Sequence, residues 1–150
     1  MALHIGQAIR KILTDNAAVS ALVGTRIFAL HVPQNKGYET QDRIVYSIVS
    51  EDHEHTLDAA VGYAHATVQL DIYSETYQGA KALAEKVRLA LDGRKLTTVT
   101  VGADSMLVGY VHLNNAFDGF DGPTDGSDQI RPVVTHDYRC GYNVTEPTFV

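Results

Sequence analysis

The stretch SEDHEHTLDAA, Ser50 to Ala60, is the part of the chain whose residue types most resemble chemistry. It holds the carboxylates Glu51, Asp52, Glu54 and Asp58 and the imidazoles of His53 and His55. An H-x-H pair on a strand puts both rings on one face, so the two could share a metal ion. A zinc site needs a third and usually a fourth ligand with supporting partners. Glu51 shares that face, whereas Asp52 and Glu54 alternate away from it, and no H-E-x-x-H motif completes a set. The reading favoured by the residues is that the preceding apolar strand RIVYSIVS runs out of core here and ends in water.

The other candidates are weaker. Asp118, Asp121, Asp125 and Asp128 suggest calcium, but their spacing departs from the alternating EF-hand loop, and no glutamate closes it. Asp-Gly pairs are ordinary turn chemistry. Cys140 follows His136 by four residues on one predicted strand, which separates the two side chains. G-x-S-x-G and phosphate-binding glycine loops are absent from the sequence. No catalytic residue, cofactor or metal ligand is assigned, and an enzyme is not expected.

These residues must be positioned by a chain of 150 residues, 45% hydrophobic and 20% charged, with a formal charge of −6. Such proportions suit one domain with its own core. The bases are scattered or in pairs, as in Arg10/Lys11 and Arg94/Lys95, so the clustered cations needed for tight DNA binding are missing. No apolar run reaches the about 18 residues that spanning a bilayer takes, and no membrane association is expected. MALHIGQAIRKIL reads as a helix and not as a signal peptide. A single cysteine excludes an internal disulfide and suits a reducing compartment.

Ile5, Ile9, Ile12 and Leu13 mark one face of a first helix, and TDNAAVSALVG a short second one, with Asp15 or Asn16 at its start and Gly24 at its stop. RIFAL is a short strand, followed by a polar loop, HVPQNKGYETQD. RIVYSIVS and HATVQLDIY are strands on either side of a turn near Gly62, the latter with Ala66, Val68, Leu70 and Ile72 on one side. SETYQGAKALAEKVRLALDG is the clearest helix, capped by Ser74 or Thr76, with a Lys81–Glu85 pair on its surface. KLTTVTV and SMLVGYVHL form a hairpin. NNAFDGFDGPTDGSDQ, 114–129, reads as a long loop, and IRPVVTHDYRCGYNV as the last strand, with Tyr138, Cys140 and Tyr142 on one face. Residues 145–150 form a loose tail. The expected fold is α+β: a single mainly antiparallel sheet with two main helices packed on one face, in one domain over 1–150. Long loops are usually functional or disordered, and exposed aromatics suit an interface. Phe117, Asp118, Phe120 and Asp121, with Tyr38 from the earlier loop, are therefore the candidate protein–protein contacts.

NAAVSALVGTRIF, RIVYSIVS, HTLDA and ATVQLDIYSETYQGAKALAEKVRLALDG, in that order, resemble the tail-terminator (tail-completion, head-tail joining) proteins of long-tailed bacteriophages and related gene-transfer particles. The resemblance runs from about Ile5 to Tyr142 and is strongest from Ala66 to Gly93. Unlike many family members, TQDRIVY lacks a proline before its strand. The resemblance implies a structural virion protein, made in the bacterial cytoplasm and placed at the head-proximal end of the tail. It implies a homohexameric ring that caps the tail tube protein, meets a neck or head-completion protein, and leaves a channel through which DNA passes without specific binding. It also implies that Leu57 packs where the chain turns back, with its charged neighbours in water. Another neck component, a head-completion or stopper protein, is the nearest alternative, and a small metal-dependent hydrolase a distant one.

Overall fold

In the computed structural model, which describes residues 3–30, 41–57, 60–121 and 131–145, three helices cover one face of a six-stranded sheet. The elements are α1 (Ile5–Asp15), α2 (Ala17–Val23), β1 (Ile27–Ala29), β2 (Arg43–His55), β3 (Ala60–Tyr73), α3 (Tyr77–Leu91), β4 (Thr97–Val101), β5 (Asp104–Asp121) and β6 (Arg131–Asn143). Strand order is β1-β2-β3-β6-β5-β4. Only β1 runs parallel to its neighbour, and every other pair is antiparallel. The α+β expectation holds.

Local chemistry explains where the helices begin. The Asn16 side chain accepts the Val19 N–H at 3.1 Å, and Gly24 ends α2 at a positive φ of 56°, which glycine adopts without a Cβ clash. Thr76 Oγ1 accepts the Gly79 N–H at 3.0 Å and caps α3. The stripe Ala80, Leu83, Ala84, Val87, Ala90 and Leu91 then turns inward. It meets the inward side of β3, where Ala64, Ala66, Val68, Leu70 and Ile72 are fully buried. Tyr138, Cys140 and Tyr142 continue that layer on β6. Each large apolar side chain so covered contributes about 1.5–3 kcal/mol.

Three expectations change. Residues 114–121 belong to β5 and are not a loop: Asn115 to Asp121 pair in register with Asp137 to Arg131 of β6. Their Asn, Asp and Gly content argued for a turn, but the β-branched partner strand supplies the ladder, and tertiary pairing outweighs propensity. The rest of that segment, 122–129, lies outside the described residues, as do Tyr38 and the tail beyond Thr145. On α3, Lys81 does not pair with Glu85. Glu85 takes Arg88 one turn on, while Lys81 reaches across to Asp118 at 2.7 Å. Leu57 does not pack either. It is fully exposed, because β2 and β3 project beyond the helices at this end.

Candidate interaction surfaces

The histidine-rich stretch forms the last part of β2. One register shift falls between Ile48 and Ser50 and another between His53 and His55. The first shift decides the faces. Ile48 stands opposite Val68 on the helix side, and after it Glu51 and His53, opposite Ala66 and Ala64, return to that side. Asp52 stands opposite His65 on the bare side. The clustered polar residues are thus split between two surfaces.

On the helix side the Tyr142 hydroxyl donates to Glu51, whose other neighbour, His53 Nε2, is 3.6 Å away. Burial and then that carboxylate push the Tyr142 hydroxyl well above its ordinary range. On the bare side His65 bridges the Glu54 carboxylate and the Tyr110 hydroxyl, each at 2.6 Å. Tyr63 and His112 extend the cluster as ring neighbours of His65 and Tyr110, and Arg139 lies 3.6 Å from Asp52. These bonds tie the projecting strand ends together. Among the described residues, no group of three or more His, Cys, Asp or Glu side chains is arranged to hold a metal ion.

Replacing His53 and His55 together by alanine is therefore expected to leave the folded protein nearly as stable as before, within about 0.5 kcal/mol as for exposed sites generally. Dialysis against a chelator should leave the melting temperature in place. Stoichiometric zinc in the purified chain, with unfolding when it is removed, would reverse this conclusion.

The second candidate is the far end of β5 and β6. Phe117 and Phe120 are three residues apart on a strand, so they point to opposite faces. They are 48% and 74% exposed. Asp118, on the helix side opposite Val134, is clasped by α3: Tyr77 Oη donates to it at 2.6 Å and Lys81 Nζ at 2.7 Å. Lys81 first, then Tyr77, holds the Asp118 carboxyl below its ordinary range. Asp118 is thus bonded within its own chain, which ties the strand extension to α3 and leaves the two phenylalanines presented outward. Asp121 ends β5 opposite Arg131. The sequence singles out the phenylalanines as aromatics in a polar stretch, and the structure leaves both exposed; the clasp, whose partners are far apart in the chain, has no such local signal.

Beneath the clasp, a cleft between α3 and β6 is lined by Lys81, Glu85, Arg88 and His136. His136 is buried and hydrogen-bonded through Nδ1 to the Tyr138 hydroxyl at 2.9 Å. Burial, and then the positive charge of Lys81, lowers its pKa and keeps it neutral. Cys140 is buried, with its thiol pushed up to about 12 by that burial, so it is not a poised nucleophile.

Comparison with known proteins bears on these surfaces. No curated protein matches the chain in sequence. Among solved structures, a chain from the virion of a native gene transfer agent particle superposes with a TM-score of 0.62. The match covers 93% of this chain and 94% of that one, at 19% sequence identity, which is a likeness of fold. The family model described as tail completion protein gp17 matches residues 7–126. That span takes in α1 from Gln7 onward, α2, α3 and the strands from β1 to β5, including the clasped strand extension. With most of its 150 residues inside the match, the chain belongs to the tail completion protein gp17 family.

Proposed function

We propose that the chain is a structural virion protein that forms a sixfold ring on the head-proximal end of a phage-type tail. The ring caps the tube, joins it to the neck or head-completion protein, and leaves a channel for DNA. Membership of the tail-completion family carries this reading. The likeness of fold to a chain of a gene transfer agent virion agrees with it. So does the chemistry of the surfaces: exposed aromatics and hydrogen-bonded polar clusters suit contacts between proteins better than turnover. The formal charge of −6 gives a ring whose carboxylates repel phosphates, so DNA passes without being held. The chain acts as a structural part and not as an enzyme.

The test is imaging of purified particles labelled through this protein. The label should lie at the junction of tail and head, with averaged views showing six copies. Particles lacking the protein should have tails of irregular length or tails separated from heads. A label within the neck above the tail's end, with tail length unaffected, would favour the alternative of another neck component.

A further inference from the structure

Among the described residues, the two long edges of the sheet are each covered over only half their length. On one side β1 pairs with Ile44 to Tyr46 of β2, and the Leu30 N–H reaches the Tyr46 carbonyl. From Ser47 to His55, β2 has no strand beside its outer edge among the described residues. On the other side β4 pairs with Asp104 to Val108 of β5. Gly93 and Arg94 then bond Val111, and the Asp92 carboxylate accepts the Leu113 N–H at 2.8 Å. From Asn114 to Asp121 the outer edge of β5 is uncovered in the same sense. Unpaired edges are templates for another strand, and proteins ordinarily protect them. Here each uncovered run instead carries exposed apolar side chains: Ile48 and Val49 on β2, Phe117 and Phe120 on β5.

We infer that the uncovered edge of β5 in one copy pairs antiparallel with the uncovered edge of β2 in the next, seating Phe120 against Ile48. This rests on the ring reading above and adds the surfaces that build the ring. Three observations carry it. First, the antiparallel links β2–β3, β3–β6 and β6–β5 make β2 and β5 run in opposite senses. A second copy placed alongside in the same orientation therefore offers an antiparallel partner.

Second, the covered and uncovered halves fit as complementary steps. Ile48 lies level with Tyr138 of β6, and Phe120 with Pro132. Sliding the second copy by about 20 Å, at roughly 3.3 Å per residue, brings Ile48 opposite Phe120. β5 of the first copy then ends where β1 begins to cover β2 of the second. His55 of the second copy likewise arrives where Asp92 and Gly93 begin to cover β5 of the first. The repeat is then four strands, about 19 Å wide at roughly 4.8 Å each. Such a slide tilts the strands by about 45°, at the steep end of the range for closed barrels.

Third, the faces match. Phe120, opposite Pro132, and Ile48, opposite Val68, both lie on the helix side. Ile48 there borders a cleft of about 490 Å³ with Leu3, Ile5 and Met106 among its walls. Phe120 fills such a cleft as an aromatic anchor. In this register Glu51 approaches the neighbour's Asp118, whose charge Lys81 and Tyr77 already hold. The contact is head-to-tail, which is what a closing ring requires.

The test is disulfide trapping in assembled tails. Ser50 follows the β2 irregularity and should stand opposite Gly119 of the next copy. A Cβ at Gly119 meets only the Val133 side chain, at 3.5 Å, so cysteine fits there. The native Cys140 is fully buried and silent. Oxidising tails that contain S50C/G119C protein should give a covalent ladder ending at six copies, and neither single variant should give one. No ladder from the double variant, or a dimer from S50C alone, overturns the edge pairing if a lysine-reactive cross-linker still joins neighbouring copies. If that reagent joins no copies in labelled tails, the ring reading fails, and the edge pairing fails with it.

Discussion

A chain carrying F117S and F120S should fold as the parent does and fail in the particle. Phe120 is 74% exposed and Phe117 48% exposed, on opposite faces of β5. In the free chain each change therefore loses little packing. The exchange of an aromatic for serine on a strand costs at most about 1 kcal/mol per site. The register of the extension should survive, because Asp118 stays tied to Tyr77 and Lys81 and the backbone ladder to β6 is untouched. In the assembly the balance differs. A phenylalanine fully covered at an interface contributes about 1.5–3 kcal/mol, and the proposed ring would repeat the loss at every contact. The expected result is an unchanged thermal unfolding curve together with tails that do not join heads or that lose their length control. A free chain destabilised by several kcal/mol would mean that the phenylalanines serve their own fold. Normal assembly would mean that they serve no contact.

This pair also shows what the sequence could and could not disclose. The aromatics were legible as candidates because they stand in a polar, glycine-rich stretch. Their opposite orientation was not, because it depends on 114–121 being strand. That depends in turn on Val133 to Asp137 lying alongside, a pairing that no local pattern records. The inner strands were easy to read: β3 alternates cleanly because one face is buried along its whole length and the other is polar. β2 was harder. Its residues after Val49 are polar on both faces, and the irregularity there interrupts the period. The same cause hid the polar cluster: Glu54, His65 and Tyr110 meet only after four strands, β2, β3, β6 and β5, are paired. The Lys81–Glu85 expectation failed for a related reason. Both partners were present at the right helical spacing, but Lys81 found Asp118 and Glu85 found Arg88. Surface pairs are weakly held, so a competing partner redirects them easily.

G141V should be clearly destabilising, although valine ordinarily favours a strand. Gly141 lies on the bare side of β6, opposite His65 on β3 and Tyr110 on β5. Its φ is not among the positive values, so conformation does not demand glycine there. Space does: a Cβ at this position falls well inside van der Waals contact with the Tyr110 ring and the Tyr63 hydroxyl. Gly109 is similar, since a Cβ there meets the Tyr63 hydroxyl at 2.5 Å. The two tyrosines lie across a glycine floor, with His65 held between Tyr110 and Glu54. Valine must push both rings outward and break the His65–Tyr110 bond. Overpacking costs about 1–3 kcal/mol, and the β preference of valine returns less than about 1 kcal/mol. A net loss of about 2 kcal/mol is expected, which for a chain of this size lowers the melting temperature by about 4–8 °C. Urea unfolding checks it: the midpoint should fall with the slope unchanged. Removing one obstructing ring should restore part of the loss, so Y110A should cost less in the G141V background than in the parent. If G141V matches the parent in stability, the rings do not rest on the glycine floor, and the projecting ends of β3 and β6 are held by the backbone ladder alone.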